Sequence, residues 1–281
     1  MTAVTAPTSP PPVKRRWWLL GVVAGWIVVV AVLAVWSVAH ERATVPEQRD
    51  IGLAVTDLQR AAGVVYAAAN GAGRAVVLGE LKVERDCRVT PVRSGLVATR
   101  TVSVYVSDGG AVAAVQEIAA RLPDSYQADA GESRGGTRIS LEADAGNFIA
   151  IDLNGESSAT ALSLELSTGC RPLDRDGTPS RADPSAPPAP ALLSTVVSAL
   201  GGKVGEPVAR TVTCPSGAVA GSYTVAGLAA PESVAASLRE VADGAEVLQT
   251  DDVRVYRRGA DSLVVHAEER LLSVTVSTGC Q

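Results

Sequence analysis

Four cysteines are the residues of this 281-residue chain whose type and spacing first suggest chemistry. No two of them form a Cys-x-x-Cys motif, which a redox dithiol would use. A metal site with four sulfur ligands would require both halves of the chain to close around one ion. In an oxidising compartment such cysteines form disulfides, and four cysteines allow three pairings. The four residues are Cys87, Cys170, Cys214 and Cys280.

Histidine-based catalysis has two candidates in the chain, His40 and His266. A histidine that activates a nucleophile needs a pocket and a third group that orients its ring. His40 directly follows an apolar segment, and His266 lies in the predicted strand 263–267. The sequence contains no His-x-x-x-His pattern for zinc. We therefore predict no catalytic residue, no metal ligand and no cofactor-binding residue.

Carboxylate pairs could perform acid–base chemistry without a histidine. The adjacent pairs are Asp251 with Asp252 and Glu268 with Glu269. Neighbouring residues in a strand point to opposite faces of the sheet, so neither pair converges by its spacing alone. Both pairs also lie near predicted turns or strand ends. We interpret them as solvated surface residues.

Two further patterns have structural interpretations. The sequence Gly-Ala-Gly-Arg at residues 71–74 follows a predicted helix and lacks the third glycine of a nucleotide-binding loop. We therefore do not predict a phosphate site there. Arg254, Arg257 and Arg258 form a small basic cluster close to Asp251 and Asp252, for which we expect internal ion pairs rather than an anion site.

The segment 17–39 is uncharged over 23 residues. As a helix it would be about 34 Å long, enough for a hydrocarbon core of about 30 Å. Lys14, Arg15 and Arg16 precede it and predict a cytoplasmic N-terminus by the positive-inside rule. The alternative is a cleaved signal peptide ending at the small residues 37–39, but the apolar core of a signal peptide is usually shorter. We predict a cytoplasmic tail (1–16), a single membrane-spanning helix (17–39) and extracytoplasmic domains.

The charge distribution agrees with that topology. The chain has a formal net charge of −5, and residues 1–40 carry three basic residues and no acidic one. The remainder is therefore strongly acidic, and an acidic surface is repelled by nucleic acid and by anionic lipid headgroups. We predict no nucleic-acid partner.

The part after residue 40 contains two similar halves joined by a linker. Residues 171–190 contain many prolines and are predicted to be extended. The first half ends LSLELSTGC at 162–170 and the second ends LSVTVSTGC at 272–280. The predicted domains are a first α+β repeat (46–170), the Pro-rich linker (171–190) and a second α+β repeat (191–281).

Each half is predicted to contain a helix, two strands, a second helix and three further strands. Alternating apolar and polar residues predict the strands, and apolar residues three or four positions apart predict the helices. Short turns between strands favour antiparallel sheets with the helices on one face. We predict a tandem repeat of two-layer α+β domains. The predicted helices are 51–65, 111–122, 193–200 and 231–245, and the strands are 75–83, 101–106, 137–143, 148–153, 162–170, 208–214, 222–228, 253–257, 263–267 and 272–280.

The repeat selects one disulfide pairing. Equivalent cysteines should pair in equivalent ways, which favours Cys87 with Cys170 and Cys214 with Cys280. A further alternative concerns the apolar stripe of the first helix after the membrane segment, which could pack on its own sheet, form a dimer seam or form a partner-docking face. Two heptads are too few for a coiled coil, so we expect packing on the sheet. The stripe comprises Ile51, Val55, Leu58, Ala62 and Val65.

Function is predicted mainly from architecture. All four tryptophans lie in the apolar segment, so the remainder has few aromatic platforms for sugars or bases. The layout is similar to that of many bacterial envelope proteins of unknown function. We predict a non-catalytic protein-interaction or scaffold module of the cell envelope, anchored by one membrane span and binding an envelope protein partner. The alternatives are a small-ligand-binding or sensor ectodomain and, third, a carboxylate-based hydrolase.

Overall fold

The computed structural model divides into two compact units, Met1–Thr44 and Val45–Gln281. In the first unit the helix α1 (Trp17–His40) contains an apolar stretch, Trp17–Trp36, that is long enough to cross a membrane. Such a helix is compatible with a single-pass anchor or with a signal sequence. The structure describes residues 17–40, 49–90, 93–172, 183–203, 205–241, 244–268 and 270–280.

The second unit has mixed α+β structure with two antiparallel sheets. Its first sheet has the strand order β1-β3-β7-β6-β5-β4, and β2 and β8 pair with the first part of the long strand β3. A 3-10 turn (Asp124–Tyr126) precedes β4. The elements are α2 (Ile51–Ala69), β1 (Arg74–Leu78), β2 (Lys82–Thr90), β3 (Arg93–Val106), α3 (Ala111–Arg121), β4 (Asp129–Ser133), β5 (Arg138–Asp144), β6 (Ala150–Glu156), β7 (Ala161–Ser167) and β8 (Arg171–Pro172).

The second sheet has the order β9-β10-β14-β13-β12-β11. The two sheets have similar connectivity. The strands β1 and β9 each lie at one edge, β3 pairs with β7 as β10 pairs with β14, and the strands that follow the second helix of each half, β4 and β11, lie at the opposite edge. The elements are α4 (Ala191–Ala199), β9 (Val208–Thr213), β10 (Val219–Ala229), α5 (Val234–Leu238), β11 (Ala245–Gln249), β12 (Val253–Arg258), β13 (Asp261–Glu268) and β14 (Leu271–Ser277).

The mixed α+β class with antiparallel sheets is confirmed, whereas the predicted number of strands is wrong. In the first half three strands, β1 to β3, precede the second helix where two were expected, because the predicted strand 75–83 is divided between β1 and β2, and five strands, β4 to β8, follow it. In the second half four strands, β11 to β14, follow the second helix where three were expected. The strand β4 has the sequence Asp-Ala-Gly-Glu-Ser, which lacks the β-branched and aromatic residues that signal a strand. The predicted helix 231–245 is shorter in the structure, Val234–Leu238, and its apolar spacing continues to Ala245, which is the first residue of β11 instead.

The helix α2 packs on the first sheet, as its apolar stripe predicts. The five residues of its predicted stripe are all buried, in one core with inward-facing residues of β3, β5 and β7. Asp50 begins the helix by accepting a hydrogen bond from the Leu53 amide at 3.0 Å. Since the stripe is buried within the chain, it does not form a dimer seam.

The helix α2 also contacts the second half of the chain. The carbonyl of Thr213 in β9 occupies the position that a Cβ of Gly63 would take, so glycine permits this close approach. The Tyr66 hydroxyl donates to the Thr278 carbonyl at 2.8 Å, just beyond β14. Val212 and Ala220 of the second sheet join the core around α2. One helix thus stabilises both halves.

The edge strand β1 lies against the second sheet. The amide of Leu78 donates to the Ser222 hydroxyl at 2.8 Å, and the amide of Val76 donates to the Ser262 hydroxyl at 3.4 Å. Ala75 packs in a small apolar cluster with Val255 and other residues of β11–β13. The second sheet is therefore covered on both faces, by α4 and by β1, which the two-layer prediction did not include.

Ser222 is expected to be important for this junction. In Ser222→Ala the Leu78 amide loses its buried acceptor, and the Ser277 hydroxyl, 2.7 Å from that of Ser222, loses its partner. We expect the free energy of unfolding to fall by about 1–3 kcal/mol in urea denaturation. The exposed control Ser163→Ala should change it by less than about 0.5 kcal/mol. Equal effects in the two variants would contradict this role of the hydroxyl.

The two disulfides join the pairs that the repeat predicts. Cys87 is bonded to Cys170 with 5.7 Å between their Cα atoms, and Cys214 to Cys280 with 5.6 Å. Each bridge connects an early strand of its half to the end of that half. Two disulfides indicate an oxidising, extracytoplasmic compartment.

The end of the Pro-rich linker is attached to both sheets. Asp183 accepts two hydrogen bonds from the Arg100 guanidinium of β3, at 3.0 and 2.9 Å, and one from the Thr211 amide of β9 at 3.0 Å. The Thr211 hydroxyl donates to the Pro184 carbonyl at 2.5 Å. The earlier part of the linker, residues 173–182, lies outside the described residues.

Candidate interaction surface

Four carboxylates lie in one row across the first sheet. Asp129 of β4 is paired with Glu142 of β5, Glu142 with Asp152 of β6, and Asp152 with Glu165 of β7. Directly paired residues share one face of a sheet, and their Cβ atoms are about 4.5–5.5 Å apart. All four residues are exposed. We call Asp129, Glu142, Asp152 and Glu165 the acidic row.

Strand alternation explains why the acidic row faces outward. In β5 and β6 the apolar residues Ile139, Leu141, Ile151 and Leu153 are buried in the core beneath α2 and α3. Residues between them must point to the other face, because side chains alternate along a strand. The row continues on β3 with Thr101, which is paired with Glu165. Across β4 to β7 the face opposite the helices is therefore polar, with acidic residues in register, whereas on β1 and β3 this face packs on the second sheet through Ala75 and Tyr105.

The acidic row carries uncompensated negative charge. Like charges directly opposite each other in neighbouring strands destabilise a sheet. In the described part of the chain, no ion pair or hydrogen bond involves the side chains of the four acids. Arg138 pairs instead with Glu156, at 3.8 Å, near the end of the sheet. The described residues also form no group of three or more potential metal ligands, so the row is extended rather than convergent.

The carboxylate pairs identified from the sequence do not form a site. Asp251 and Asp252 are exposed in the turn before β12, and Glu268 is exposed at the end of β13. Glu269 lies outside the described residues. The acidic row was missed because its members are far apart in sequence. The alternation of Leu and acidic residues in β5 to β7 indicates which acids face outward, but strand order and register decide that they are neighbours.

The basic cluster of Arg254, Arg257 and Arg258 does not form, within the described residues, the internal ion pairs that the sequence predicts. No ion pair joins Arg254, Arg257 or Arg258 to the two neighbouring aspartates, all of which the structure describes. Arg257 donates instead to the carbonyls of Gly259, at 2.7 Å, and Arg74, at 3.0 Å. Successive residues of β12 point to opposite faces, so the three arginines cannot reach one acidic group together.

The loop at residues 71–74 has a structural role. Gly73 has a φ angle of 69°, a left-handed conformation that favours glycine, and it leads into β1. Arg74 is buried and pairs with Glu117 of α3, with 3.2 Å between Nη2 and Oε2. Burial lowers the pKa of Arg74, and the nearby Glu117 opposes this effect. The loop thus connects α2, α3 and β1 through an internal ion pair.

His266 lies at the junction of the two sheets, whereas His40 is the last residue of α1. The Nε2 atom of His266 is 2.7 Å from the Tyr105 hydroxyl of β3, and the two rings contact edge to face. Burial lowers the pKa of His266 and raises the pKa of Tyr105. At neutral pH both groups are therefore uncharged, and their hydrogen bond, whose donor depends on the imidazole tautomer, links the sheets.

The His266–Tyr105 contact predicts a pH-dependent stability. Because burial lowers the pKa of His266 below its ordinary value of 6.5, the unfolded chain takes up this proton at a higher pH than the folded chain. The stabilisation that the neutral His266 gives the folded chain is complete above pH 6.5 and decreases as the pH falls below it. We expect His266→Gln to be less sensitive than the wild type between about pH 8 and pH 5 in urea denaturation. Parallel pH profiles for the two proteins would contradict this.

Comparison with known proteins gives a distant structural likeness. No family model matches the sequence, and no curated protein matches it. The crystal structure of a DUF4853 family protein from Actinomyces odontolyticus is similar, with 14% sequence identity and a TM-score of 0.36. The match covers 63% of this chain and 93% of that protein. The described elements themselves define a mixed α+β protein with two antiparallel sheets, two disulfides and an apolar N-terminal helix.

Proposed function

We propose that the protein is a non-catalytic module of the cell envelope, anchored by α1, which binds a basic partner through the acidic row. The apolar helix and the disulfides support an anchored, extracytoplasmic location. The similar connectivity of the two sheets supports a tandem repeat of one α+β unit. The observation that carries the proposal is the row of four unpaired carboxylates on an open sheet face.

The geometry of the acidic row favours a protein partner. Neighbouring strands are about 4.8 Å apart, so four carboxylates in register extend over roughly 14 Å. A partner that presents several lysine or arginine side chains at similar intervals would neutralise the repulsion within the row. Small residues flank it, including Ser140, Ser163 and Thr101, so the face offers little steric obstruction. Charged surfaces of this kind contribute mainly to association rate and specificity.

The open position of the acids also supports a non-catalytic role. Paired carboxylates that hydrolyse glycosides flank the scissile bond from its two sides. The members of the acidic row lie side by side on one exposed face. His266 and Tyr105, two further groups with catalytic potential, are hydrogen-bonded to each other between the sheets.

Site-specific photo-crosslinking in cells tests this function. A photoreactive residue in place of Asn154, which is exposed on the same face as Asp152, should crosslink the full-length protein to a specific basic partner. The same residue in place of Glu240, exposed in the second half, is the control position. The crosslink should weaken as the salt concentration rises. Equal crosslinking from both positions would reject the acidic row as the binding surface.

A triple variant, Glu142→Gln with Asp152→Asn and Glu165→Gln, should abolish that crosslink. The matched control removes three exposed acids elsewhere, by Asp108→Asn, Glu232→Gln and Asp251→Asn, and should retain it. Loss in both triple variants would show that overall charge, and not the row, attracts the partner. Anchoring is tested separately by cell fractionation. An uncleaved chain that stays in the membrane fraction supports anchoring, and a cleaved, soluble chain rejects it.

Neutralising the centre of the acidic row should stabilise the fold. Asp152 lies opposite both Glu142 and Glu165, so Asp152→Asn removes two repulsive pairs. We expect the free energy of unfolding to rise by about 0.5 kcal/mol while partner binding decreases. Glu232→Gln, which changes an exposed acid outside the row, should change neither quantity. A destabilised Asp152→Asn variant would contradict the repulsion argument.

A groove between α2 and β9 supports a second candidate, a small-ligand binder. It has a volume of about 460 Å³, within the range of ligand pockets. Its walls include Val64, Val212 and Pro215, with Gln59 and Arg60 as polar groups. Medium-chain carboxylic acids are suitable probes in thermal-shift measurements. A rise in Tm that Val64→Phe removes would support this function, and no rise would reject it for this ligand class.

A further inference from the structure

The turn between β5 and β6 holds an aromatic ring in a strained position. Gly146, Asn147 and Phe148 have φ angles of 86°, 54° and 58°, so three successive residues are left-handed. Glycine adopts this conformation freely, whereas a bulky residue does so only at an energetic cost. Phe148 is the only phenylalanine of the chain, and 48% of its surface is exposed.

Two side chains hold this turn in place. Arg171, which is only 2% exposed, donates from Nη2 to the carbonyls of Asn147, at 2.8 Å, and Phe148, at 3.1 Å. The Nδ2 group of Asn147 donates to the Asp57 carboxylate of α2 at 2.9 Å. A buried arginine and a helix residue thus maintain a costly backbone conformation. The conformation leaves the phenyl ring at the surface.

A second exposed apolar side chain lies close to this turn. Leu53 is 55% exposed and precedes Asp57 by one helical turn, on the same side of α2. Asp57 is the residue that binds the turn, so Leu53 and Phe148 occupy the same end of the molecule. We call these two residues the apolar tip. Outside α1, the exposed large apolar side chains of the described residues are Leu53, Phe148, Val208 and Leu271.

We propose that the apolar tip inserts into the surface of the lipid bilayer in which α1 is anchored. The proposal rests on the anchoring part of the proposed function. Ten residues separate the end of α1 at His40 from the start of α2 at Ile51. Such a segment spans at most about 35 Å, so the membrane is within reach of the first turn of α2, where Leu53 lies.

The chemistry around the apolar tip fits a lipid surface. Phenylalanine and leucine are the side chains that interfacial protein segments bury at the boundary of headgroups and acyl chains. Arg49 and Arg60, which both contact Asp57, are exposed beside the tip and are suited to headgroup phosphates. The acidic row faces the side of the sheet opposite α2. Insertion of the tip would therefore keep the acidic row accessible to a partner.

Fluorine NMR tests the proposal on the full-length protein. Because the chain contains one phenylalanine, biosynthetic fluorophenylalanine labels Phe148 alone. The protein is placed in phosphatidylcholine nanodiscs that contain either unlabelled lipid or lipid with a nitroxide near the headgroup. We expect the nitroxide lipid to increase the transverse relaxation rate of the resonance severalfold. A water-soluble gadolinium chelate should increase this relaxation rate less for the protein in nanodiscs than for the protein in detergent.

A matched pair of variants completes the test. Leu53→Ser should reduce the effect of the nitroxide lipid, whereas Val208→Ser, at an exposed apolar residue of the second half, should leave it unchanged. Strong relaxation by the chelate with none by the nitroxide lipid would overturn the proposal. A resonance that changes only with protein concentration would also overturn it, because it indicates that a second copy covers the tip. A resonance that changes only when envelope proteins are added would overturn it as well. A chain that is not retained in the nanodisc overturns the anchoring itself, an outcome distinct from a retained chain with an aqueous tip.

Discussion

Replacing Asp183 with alanine is expected to lower the free energy of unfolding by about 3 kcal/mol. The Arg100 side chain is fully buried, and Asp183 is its acidic partner, with hydrogen bonds of 3.0 and 2.9 Å. Burial lowers the pKa of Arg100, and the charge of Asp183 opposes this. Without Asp183 the guanidinium remains buried and uncompensated. The amide of Thr211 also loses its acceptor, so the contact between the sheets is weakened from both sides.

A matched control separates this effect from a general loss of acidic charge. Glu80 pairs with Arg210 at 3.3 Å, and both side chains are largely or partly exposed. Glu80→Ala removes the same charge and should cost less than about 1 kcal/mol, as is usual for exposed ion pairs. Urea denaturation of the two variants measures the difference. Equal costs would show that burial of Arg100 does not determine the strength of the Asp183 contact.

Removal of either disulfide is expected to have the other large effect. The bridges join residues 83 and 66 positions apart, and removal of a native disulfide from a small extracellular domain costs about 2–5 kcal/mol. We expect Cys87→Ser with Cys170→Ser, and separately Cys214→Ser with Cys280→Ser, to lower the free energy of unfolding by about 4 kcal/mol each. Double variants avoid a free thiol that could exchange with the remaining bridge.

Denaturation with and without a reductant measures this contribution. The wild type in reductant should unfold at a lower urea concentration than either double variant, because it loses both bridges. An unchanged midpoint in reductant would contradict the prediction. Peptide mapping of the non-reduced protein provides the independent test, and a bond between the two halves would exclude the pairing in the structure.

Much of the secondary structure could be predicted from local patterns. The apolar stripe of α2 is buried in the core, and the alternating apolar residues of β5 to β7 face inward. These predictions succeed because periodicity reports which side of one element faces the core. The same reasoning missed β4, whose Gly and acidic residues have low strand propensity and which is a strand because it pairs with β5.

The candidate site could be predicted only in part. Alternation indicates that Glu142 and Asp152 face outward, but nothing local indicates that they are opposite each other. The contacts of Leu78 with Ser222 and of Tyr105 with His266 likewise join residues more than 140 positions apart. Arg171 and Asp57 approach the turn at Phe148 from a short strand and a helix that are distant in sequence.

The sequence by itself thus determined the apolar N-terminal helix, the α+β class, the orientation of most strand faces and a preferred disulfide pairing. Tertiary structure alone decided the acidic row, the apolar tip, the packing of β1 on the second sheet and the buried Arg100–Asp183 contact. The reason is physical. Helical and strand periodicities arise from the local geometry of the backbone, which each short segment carries in its own residues. Strand order, register and edge packing arise from contacts between distant segments, which form only when the whole chain buries its apolar surface together.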